Sequence, residues 1–450
     1  MIARFLPGIV VEHLLKVLGD WKGIRTGDYK NSDIFSSTDR KVIFVNSGRS
    51  ALYLALKGIG VRTGDEIIIP ALTCPAVVDA IISSGATPVV LPVETGSFGL
   101  DPLTLGEAIN SRTKAIIPTD IYGTRCRISD IAEINDGRAV IIEDSAQVSP
   151  VELISWNRRH SDAYIMSLNF DKHITVGGGG ILILNRPGLF SLPPIDRSIW
   201  QDVDDLFGAG LQRLLMDRAV YDGFLPMTAG REMVSDGFIS REKVFNLLRS
   251  YIENNGYGDE QRDELSKLAD RYSEQRSGSR LANLIRRGLW GLIRPVFPPK
   301  PEALGRVSEM GNLKRGLFNM SIKHFENDRK LRQRLAERYY MGLKDVEGIW
   351  VQRWQGDVLL RFSVSLSDRK KARVLAKRLA SVDVEAGPFN YPAPIHRIPT
   401  YRNYIRVVGK MNETERLIEG LINLPLHSQV CEDEVDRIVA VVKGVATERG

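Results

Sequence analysis

Lys172 stands in a loop between two apolar runs, five residues after Ser167 and five before a row of glycines, Gly177–Gly180. The runs on either side are Ala163-Tyr-Ile-Met166 and Ile181-Leu-Ile-Leu184, which read as strands. A lysine held between strand ends is partly desolvated, which favours its neutral amine, a nucleophile toward carbonyl carbon. By itself the stretch reads equally as a solvated charge followed by a glycine turn. Two other segments supply partners. Asp144 follows the apolar run Val140-Ile-Ile142 and precedes Ser145-Ala-Gln147. A carboxylate at a buried strand end is costly unless paired, and a protonated pyridine nitrogen would pair it, although Asp before Ser-Ala-Gln is also good helix-capping chemistry. Asn46-Ser47-Gly48-Arg49-Ser50 precedes the helical pattern Ala51-Leu-Tyr-Leu-Ala-Leu56. Ser47 as N-cap, Gly48 permitting close approach and Arg49 beside the helix-start amides make either a phosphate site or simply a capped helix.

These residues need a scaffold. From Lys41 to about Leu184 short apolar runs alternate with helical stretches: Val42-Ile-Phe-Val45, Glu66-Ile-Ile-Ile69, Pro88-Val-Val-Leu91, Ala115-Ile-Ile117 and Val140-Ile-Ile142. The alternation predicts a layered α/β domain with a mostly parallel sheet, whose ligands gather at the carboxyl ends of the strands. Residues just past the runs are therefore the ones of interest: Thr73-Cys74-Pro75, Thr119-Asp120-Ile-Tyr122-Gly123, and Asp144 to Gln147. A phosphate cradle, a carboxylate for a ring nitrogen and a lysine amine form the set that pyridoxal 5'-phosphate requires.

The rest of the chain bounds this reading. With 450 residues, 43% hydrophobic and 26% charged, the composition is globular and allows two or three domain-sized units. Cys74, Cys126 and Cys431 are far apart, which predicts no disulfide framework and a reducing, cytoplasmic setting. The six histidines show no ligand spacing, so no metal site is expected. A net charge of +6 is mild at this length and does not imply nucleic acid. The early apolar stretch is broken by Pro7-Gly8 and Glu12-His13, which argues against a signal peptide. The expected organisation is an N-terminal segment over 1–40, a large α/β domain over 41–190, a helical insertion over 191–304, and a connecting helix with a small α/β domain over 305–450. In that last unit Leu313–Lys344 reads as a long helix, Val358–Val364 as a strand, and Lys370–Ala380 and Glu434–Val442 as helices. Within the insertion, residues 280–294 carry an apolar face flanked by arginines, which predicts a helix packed on protein or lying on an anionic membrane surface.

Several segments together resemble the DegT/StrS-type sugar aminotransferases, a branch of the fold-type-I pyridoxal phosphate enzymes. They are Ser47-Gly-Arg-Ser-Ala-Leu52, Gly64-Asp-Glu-Ile-Ile-Ile-Pro70, Thr113-Lys-Ala-Ile-Ile-Pro118 with Tyr122-Gly123, Glu143-Asp-Ser-Ala-Gln147, and Ser167 through Lys172-His173 to the glycines. Near the C-terminus, Gly387-Pro-Phe-Asn-Tyr-Pro392 and Leu424-Pro-Leu-His427 also match. The resemblance implies a large mixed, mostly parallel sheet domain with a small C-terminal α/β domain. It implies that Lys172 carries the cofactor as a Schiff base and moves protons, that Asp144 pairs with the pyridine nitrogen, and that Gln147 contacts the ring or its phenolic oxygen. Ser167, with Ser47 and the backbone of Gly48 and Arg49, would hold the phosphate. It further implies a homodimer that moves an amino group from glutamate or glutamine to a nucleotide-linked keto-sugar, in surface polysaccharide or glycoconjugate synthesis. The chain departs from the pattern in four places. Cys74 follows Thr73 where an aromatic residue usually stacks on the ring, Arg49 replaces a threonine, and Asp120 replaces a histidine. Leu304-Gly-Arg-Val-Ser308 keeps only the arginine and serine of the segment that reaches the neighbouring subunit. Sugar dehydratases of the same fold typically have histidine at the lysine position, where this chain has Lys172; a non-catalytic or regulatory member of the fold is the other alternative.

Overall fold

Apolar runs become strands, and the helical stretches between them return the chain to the same end of the sheet, so successive strands lie parallel. The computed structural model describes residues 35, 40–155, 160–169, 171–197, 307–387 and 393–448. The N-terminal part runs β1 (Lys41–Val45), α1 (Gly48–Gly58), β2 (Glu66–Pro70), α2 (Pro75–Ser84), β3 (Thr87–Leu91), α3 (Leu105–Ala108) and β4 (Thr113–Ile116). It continues with α4 (Ile128–Asn135), β5 (Val140–Asp144), α5 (Pro150–Ser155), β6 (Ala163–Ser167), β7 (Gly180–Leu184) and β8 (Asp196–Arg197). After it come β9 (Ser308–Glu309), α6 (Asn312–Leu343), β10 (Ile349–Val351), β11 (Phe362–Leu366), α7 (Arg369–Ser381), β12 (Arg406–Val407), α8 (Asn412–Glu419), β13 (Leu421–Leu424) and α9 (Glu432–Thr447).

The large sheet has the order β12-β3-β2-β4-β5-β6-β7-β1-β9-β8. From β12 to β6 every pairing is parallel, and β6–β7 and β7–β1 are antiparallel. Central strands such as β2, with Ile67, Ile68 and Ile69 fully buried, are apolar on both faces because helices cover both. Each apolar run expected as a strand from 42 to 184 is one, to within two residues. The small sheet, β10-β11-β13, is antiparallel and carries its own core with α7, α9 and the end of α6.

Helix α6 joins the two units. Its 32 residues span about 48 Å at 1.5 Å per residue. Leu317, Phe318, Ile322 and Phe325 on its first half pack with Phe44, Tyr164 and Ile181 of the large sheet, whereas Leu335, Tyr339 and Leu343 belong to the small core. The seam beside it is polar. Gln352 Nε2 donates to Thr124 Oγ1 at 2.6 Å, Arg125 Nε lies 2.9 Å from Asp357 Oδ1, Val358 N–H donates to Glu152 Oε1 at 3.2 Å, and Leu360 N–H donates to the Tyr122 carbonyl at 2.8 Å. These last two bonds correct the expected strand over Val358–Val364. Backbone groups at 358 and 360 are committed to the large domain, and strand pairing starts at Phe362.

The C-terminal half also returns to the large sheet. Residues 393–407 cross over α2 and β3: Ile395 N–H donates to the Ala71 carbonyl at 2.9 Å, Tyr401 Oη donates to Asp79 Oδ1 at 2.7 Å, and β12 pairs with β3. Apart from residues 35 and 40, the expected N-terminal segment over 1–40 lies outside the described residues, as does the expected helix over 280–294. No described helix is long and apolar enough to cross a membrane.

A Cβ on Gly180 would lie 2.3 Å from the Ser47 carbonyl oxygen and 2.5 Å from Gly48 N, backbone atoms that cannot rotate away. Gly180→Ala is expected to lower the unfolding free energy by about 3 kcal/mol or more, read from the denaturant midpoint. At the seam, burial, reinforced by Asp357, pushes Glu152 up to about 7 from 4.5 despite the Val358 N–H and Arg125. The native state then holds this proton more tightly than the unfolded chain, so the Glu152 contribution falls as pH rises from 4.5 to 7, by up to about 3 kcal/mol. Stability curves of Glu152→Gln, measured against the wild type over this range, should lack that decline.

Candidate active site

The parallel strands β2, β4, β5 and β6 deliver their carboxyl ends to one edge of the large sheet, and the polar segments after them converge there. Helix α1 starts at this edge. Ser47 caps it, its Oγ accepting the Ser50 N–H at 3.0 Å and lying 2.8 Å from Ser50 Oγ. The first-turn amides of Gly48 and Arg49 come before any intrahelical acceptor, and the helix dipole adds partial positive charge at this point. Ser167, at the end of β6, is the nearest neighbour: a Cβ on Gly48 would sit 3.1 Å from its Cβ and 3.4 Å from its Oγ. Ser167 pairs with Gly180 across β6 and β7, so Ser47, Gly48, Ser167 and Gly180 form one tight cluster. These hydroxyls and amides suit a phosphate.

The Arg49 side chain has a different role from the bidentate phosphate contact its position suggests. Its guanidinium lies 3.4 Å from Asp79 of α2, whose other oxygen accepts from Tyr401. Arg49 thus ties the start of α1 to α2 and to the returning C-terminal segment.

Asp144 ends β5, buried at 6% exposure. No helix begins beside it. Its Oδ1 instead accepts the Ala146 N–H at 3.2 Å, a local turn in place of the capping alternative. Burial pushes its pKa up to about 6, with Asp120 adding to the rise, and the Ala146 N–H and the nearby Lys172 charge limit it. Such a carboxylate gains from a buried cation. Lys172 follows a turn closed by its N–H donating to the Asn169 carbonyl at 3.1 Å, and its Nζ lies 3.2 Å from Asp171 Oδ2. Cys74 caps α2 just ahead of Pro75. Burial raises its thiol pKa, and the charges of Lys172, Asp144 and Arg49 all act on it, so it faces the same space.

Gln147 is built into the support. Its Oε1 accepts the Tyr122 N–H at 3.0 Å, fixing a turn in which Tyr122 has φ 54° and Gly123 φ 91°. A Cβ on Gly123 would come within 3.0 Å of the Val358 carbonyl and 3.1 Å of Leu360 N, so this glycine lets the small domain reach the site. Asp120 is fully buried and satisfied by the Cys126 N–H and Ser145 Oγ, each at 3.0 Å. Ser308 also borders the site, its carbonyl accepting the Asn46 N–H at 2.9 Å. Sequence reasoning missed Asp171 and Arg361. Arg361 is 2% exposed and acts on Asp171, Tyr122 and His173, and a lone arginine inside the apolar run Val358-Leu-Leu-Arg-Phe was the available signal. His173 is buried against Phe325, ring centroids 5.5 Å apart, and burial with the Arg332 charge holds it well below its usual pKa.

The residues fit pyridoxal phosphate: a small-residue and amide cluster for the phosphate, a buried carboxylate in need of a cation, and a lysine within its field. Among the described residues no cluster of three or more metal-capable side chains competes with this reading.

Residues 35–191 and 288–443 match the DegT/DnrJ/EryC1/StrS aminotransferase family. A GDP-perosamine synthase of Caulobacter vibrioides is 35% identical over 152 residues, 33% of this chain and 41% of that protein. A dTDP-3-amino-3,4,6-trideoxy-alpha-D-glucose transaminase of Streptomyces venezuelae is 40% identical over 114 residues, 25% of this chain and 30% of that protein. The matches thus span less than half the length of either relative. Among solved structures, the aminotransferase TlmJ from Streptoalloteichus hindustanus superposes with a TM-score of 0.63 at 20% identity, covering 99% of this chain and 98% of that one. That likeness shows a shared α/β fold, a large mixed, mostly parallel sheet with a small domain. Matched over well over half its length, this chain belongs to the DegT/DnrJ/EryC1/StrS aminotransferase family.

Proposed function

We propose that this protein is a pyridoxal 5'-phosphate-dependent aminotransferase acting on a nucleotide-linked keto-sugar, with glutamate or glutamine as amino donor. The observation that carries the reading is Asp144, buried at the end of β5 and raised to about 6, with the charge of Lys172 acting on it. The two relatives named above, a GDP-perosamine synthase and a dTDP-aminosugar transaminase, support the substrate class. Surface polysaccharide or glycoconjugate synthesis is the corresponding setting. A cytoplasmic homodimer belongs to the same reading, supported by family membership; a monomeric mass with cofactor bound would refute the dimer.

When bound, the cofactor supplies an aldehyde that exchanges amino groups and a ring that accepts electron density. The protein's own groups do the rest. Ser47, Ser167 and the amides of Gly48 and Arg49 bind the phosphate. Asp144, in a site that disfavours a lone anion, would hold the ring nitrogen, whose proton would keep the carboxylate ionised. Gln147 contributes through the Tyr122–Gly123 turn, which keeps the small domain against the site. Lys172 is the residue that would hold the cofactor's aldehyde through Nζ, and the same amine is placed to take and return a proton as general base and acid. Cys74 puts a small thiol at the position where the resemblance expects a stacking aromatic ring.

Purified protein should show the visible absorbance of lysine-bound cofactor, and Lys172→Ala should lose it; an unchanged band in that variant would sink the assignment. Adding glutamate should convert the band to that of the amine form of the cofactor. Absence of conversion with every amino donor tried favours a regulatory member of the family. Asp144→Asn leaves the ring nitrogen without its anion and is expected to weaken cofactor binding by about 3 kcal/mol, measured by absorbance titration.

A further inference from the structure

Helix α6 buries one face and leaves the other to solvent. Phe325, Arg332, Leu335, Ala336 and Tyr339 are on the buried face, and the ring of His173, next in sequence to Lys172, packs on Phe325 with centroids 5.5 Å apart. Asn327, Lys330, Arg334 and Glu337 recur at intervals of three and four residues on the opposite, exposed side. There they line a groove of about 700 Å³ whose other wall is Trp354 and Gly356, from the loop between β10 and β11. That wall is held in place. Trp354 Nε1 donates to the Asp357 carbonyl at 3.0 Å, and Tyr340 packs on the indole with ring centroids 6.2 Å apart. Gly356, at φ 88°, turns its carbonyl to accept from Gln333 Nε2 at 2.7 Å. Gln333 is oriented in turn by Arg329, whose Nη1 donates to its Oε1 at 3.1 Å.

The two cations of the groove have no firm partners of their own. Arg334 makes no ion pair among the described residues. Lys330 reaches Glu326 at 3.9 Å, and that carboxylate already accepts from Arg329 at 2.8 and 2.5 Å. We propose that this groove binds a nucleoside diphosphate, as a second ligand site on the side of α6 turned away from His173. An indole offers a stacking face to any base, and a guanidinium and an ammonium one helical turn apart take phosphate oxygens, the former in a planar fork. Asn327 and Glu337, at the two ends of the stripe, are hydrogen-bonding groups for the ribose and the base edge. From residue 327 to 337 the helix rises about 15 Å, which leaves room for a base at Trp354 and two phosphates along the cations. The groove volume is in the range of small-molecule sites. A bare anion would leave the indole unused, and a long polyanion would need cations beyond this pair. The loop that supplies Trp354 continues into Asp357 and Val358, which bond Arg125 and Glu152 across the domain seam. A nucleotide bridging Trp354 and α6 therefore ties the small-domain side of that seam to the helix that joins the domains.

The test is local, because a nucleotide-linked substrate brings a nucleotide to the active site as well. The full chain with its cofactor is titrated with GDP to millimolar concentration, and amide hydrogen exchange is followed by mass spectrometry in peptides covering 327–337 and 352–358. Both peptides should be protected on the same binding curve. Trp354→Leu should weaken that curve about tenfold, and Arg334→Glu should weaken it by a similar factor and flatten its dependence on salt. Guanosine and inorganic pyrophosphate, each carrying half of the ligand, should protect only at far higher concentration. Pyrophosphate acting as well as GDP overturns the proposal in favour of a simple anion site. Protection absent from these two peptides, or confined to those carrying Ser47, Asp144 and Lys172, overturns it outright. So does a curve that neither substitution moves. Both substitutions should leave the absorbance of the lysine-bound cofactor as in the wild type, so a failure here leaves the proposed function standing. Circular dichroism reports folding, and if Trp354→Leu does not fold, the exposed Arg334→Glu decides alone.

Discussion

A methyl group on residue 180 would lie 2.3 Å from the Ser47 carbonyl oxygen, so the start of α1 and the β6–β7 pair meet through backbone alone. This contact sets where everything else in the site can be. It brings the hydroxyl of Ser167 to the helix-start amides, since a Cβ on Gly48 would already press on the Ser167 side chain. It also sets the direction in which the chain leaves β6, and with it the turn that carries Asp171 and Lys172. The glycines between Lys172 and β7 are needed for the same reason: Gly177, Gly178 and Gly179 adopt φ of 79°, 141° and 141°, a region that other residues enter at a cost.

The charges around that contact are arranged in alternation. Arg49 is tied to Asp79, Lys172 to Asp171, and Arg361 acts on Asp171 from the other domain. Asp144 is the anion of this group that burial most plainly disfavours, and it stands where the proposed cofactor would bring a cation. The replacement of histidine by Asp120 does not leave a stray charge behind, because the Cys126 N–H and Ser145 hydroxyl satisfy it. Arg49, where the resemblance expects a threonine, pairs with Asp79, whose other oxygen accepts from the Tyr401 hydroxyl. Departures from the family pattern at these two positions come with their own local partners, which is what a folded, working site requires of buried polar groups.

Much of this was legible in the sequence, for definite reasons. Strands β1 to β7 announce themselves because each is a short run of apolar residues bounded by turn formers, and a mostly parallel sheet follows from the helical spacers. Ser47, Gly48, Asp144 and Ser167 stand out in the sequence because they follow closely on those runs, and Lys172 because it lies in the loop between two of them. Arg361 and Asp171 carry no such local signal, because the influence of the Arg361 charge on Asp171 acts between residues 190 positions apart. The Val358–Val364 run was read too long for a related reason. Its first residues are apolar and β-branched enough for a strand, yet their backbone bonds go to Glu152 and Tyr122. Position alone marks Arg49 as a helix-start residue, and its side-chain partner, Asp79, lies on another helix.

The pairing of β12 with β3 joins Arg406 to Val89 across most of the chain. During synthesis the ribosome therefore emits β1 through β7 long before the strand that covers the β3 edge exists. Until residues 393–407 emerge, that edge of a hydrophobic parallel sheet presents unpaired amides and carbonyls, the situation in which nascent chains add strands to one another. Closing it late requires a long loop to be ordered, which makes the final step slow and dependent on a completed C-terminal half.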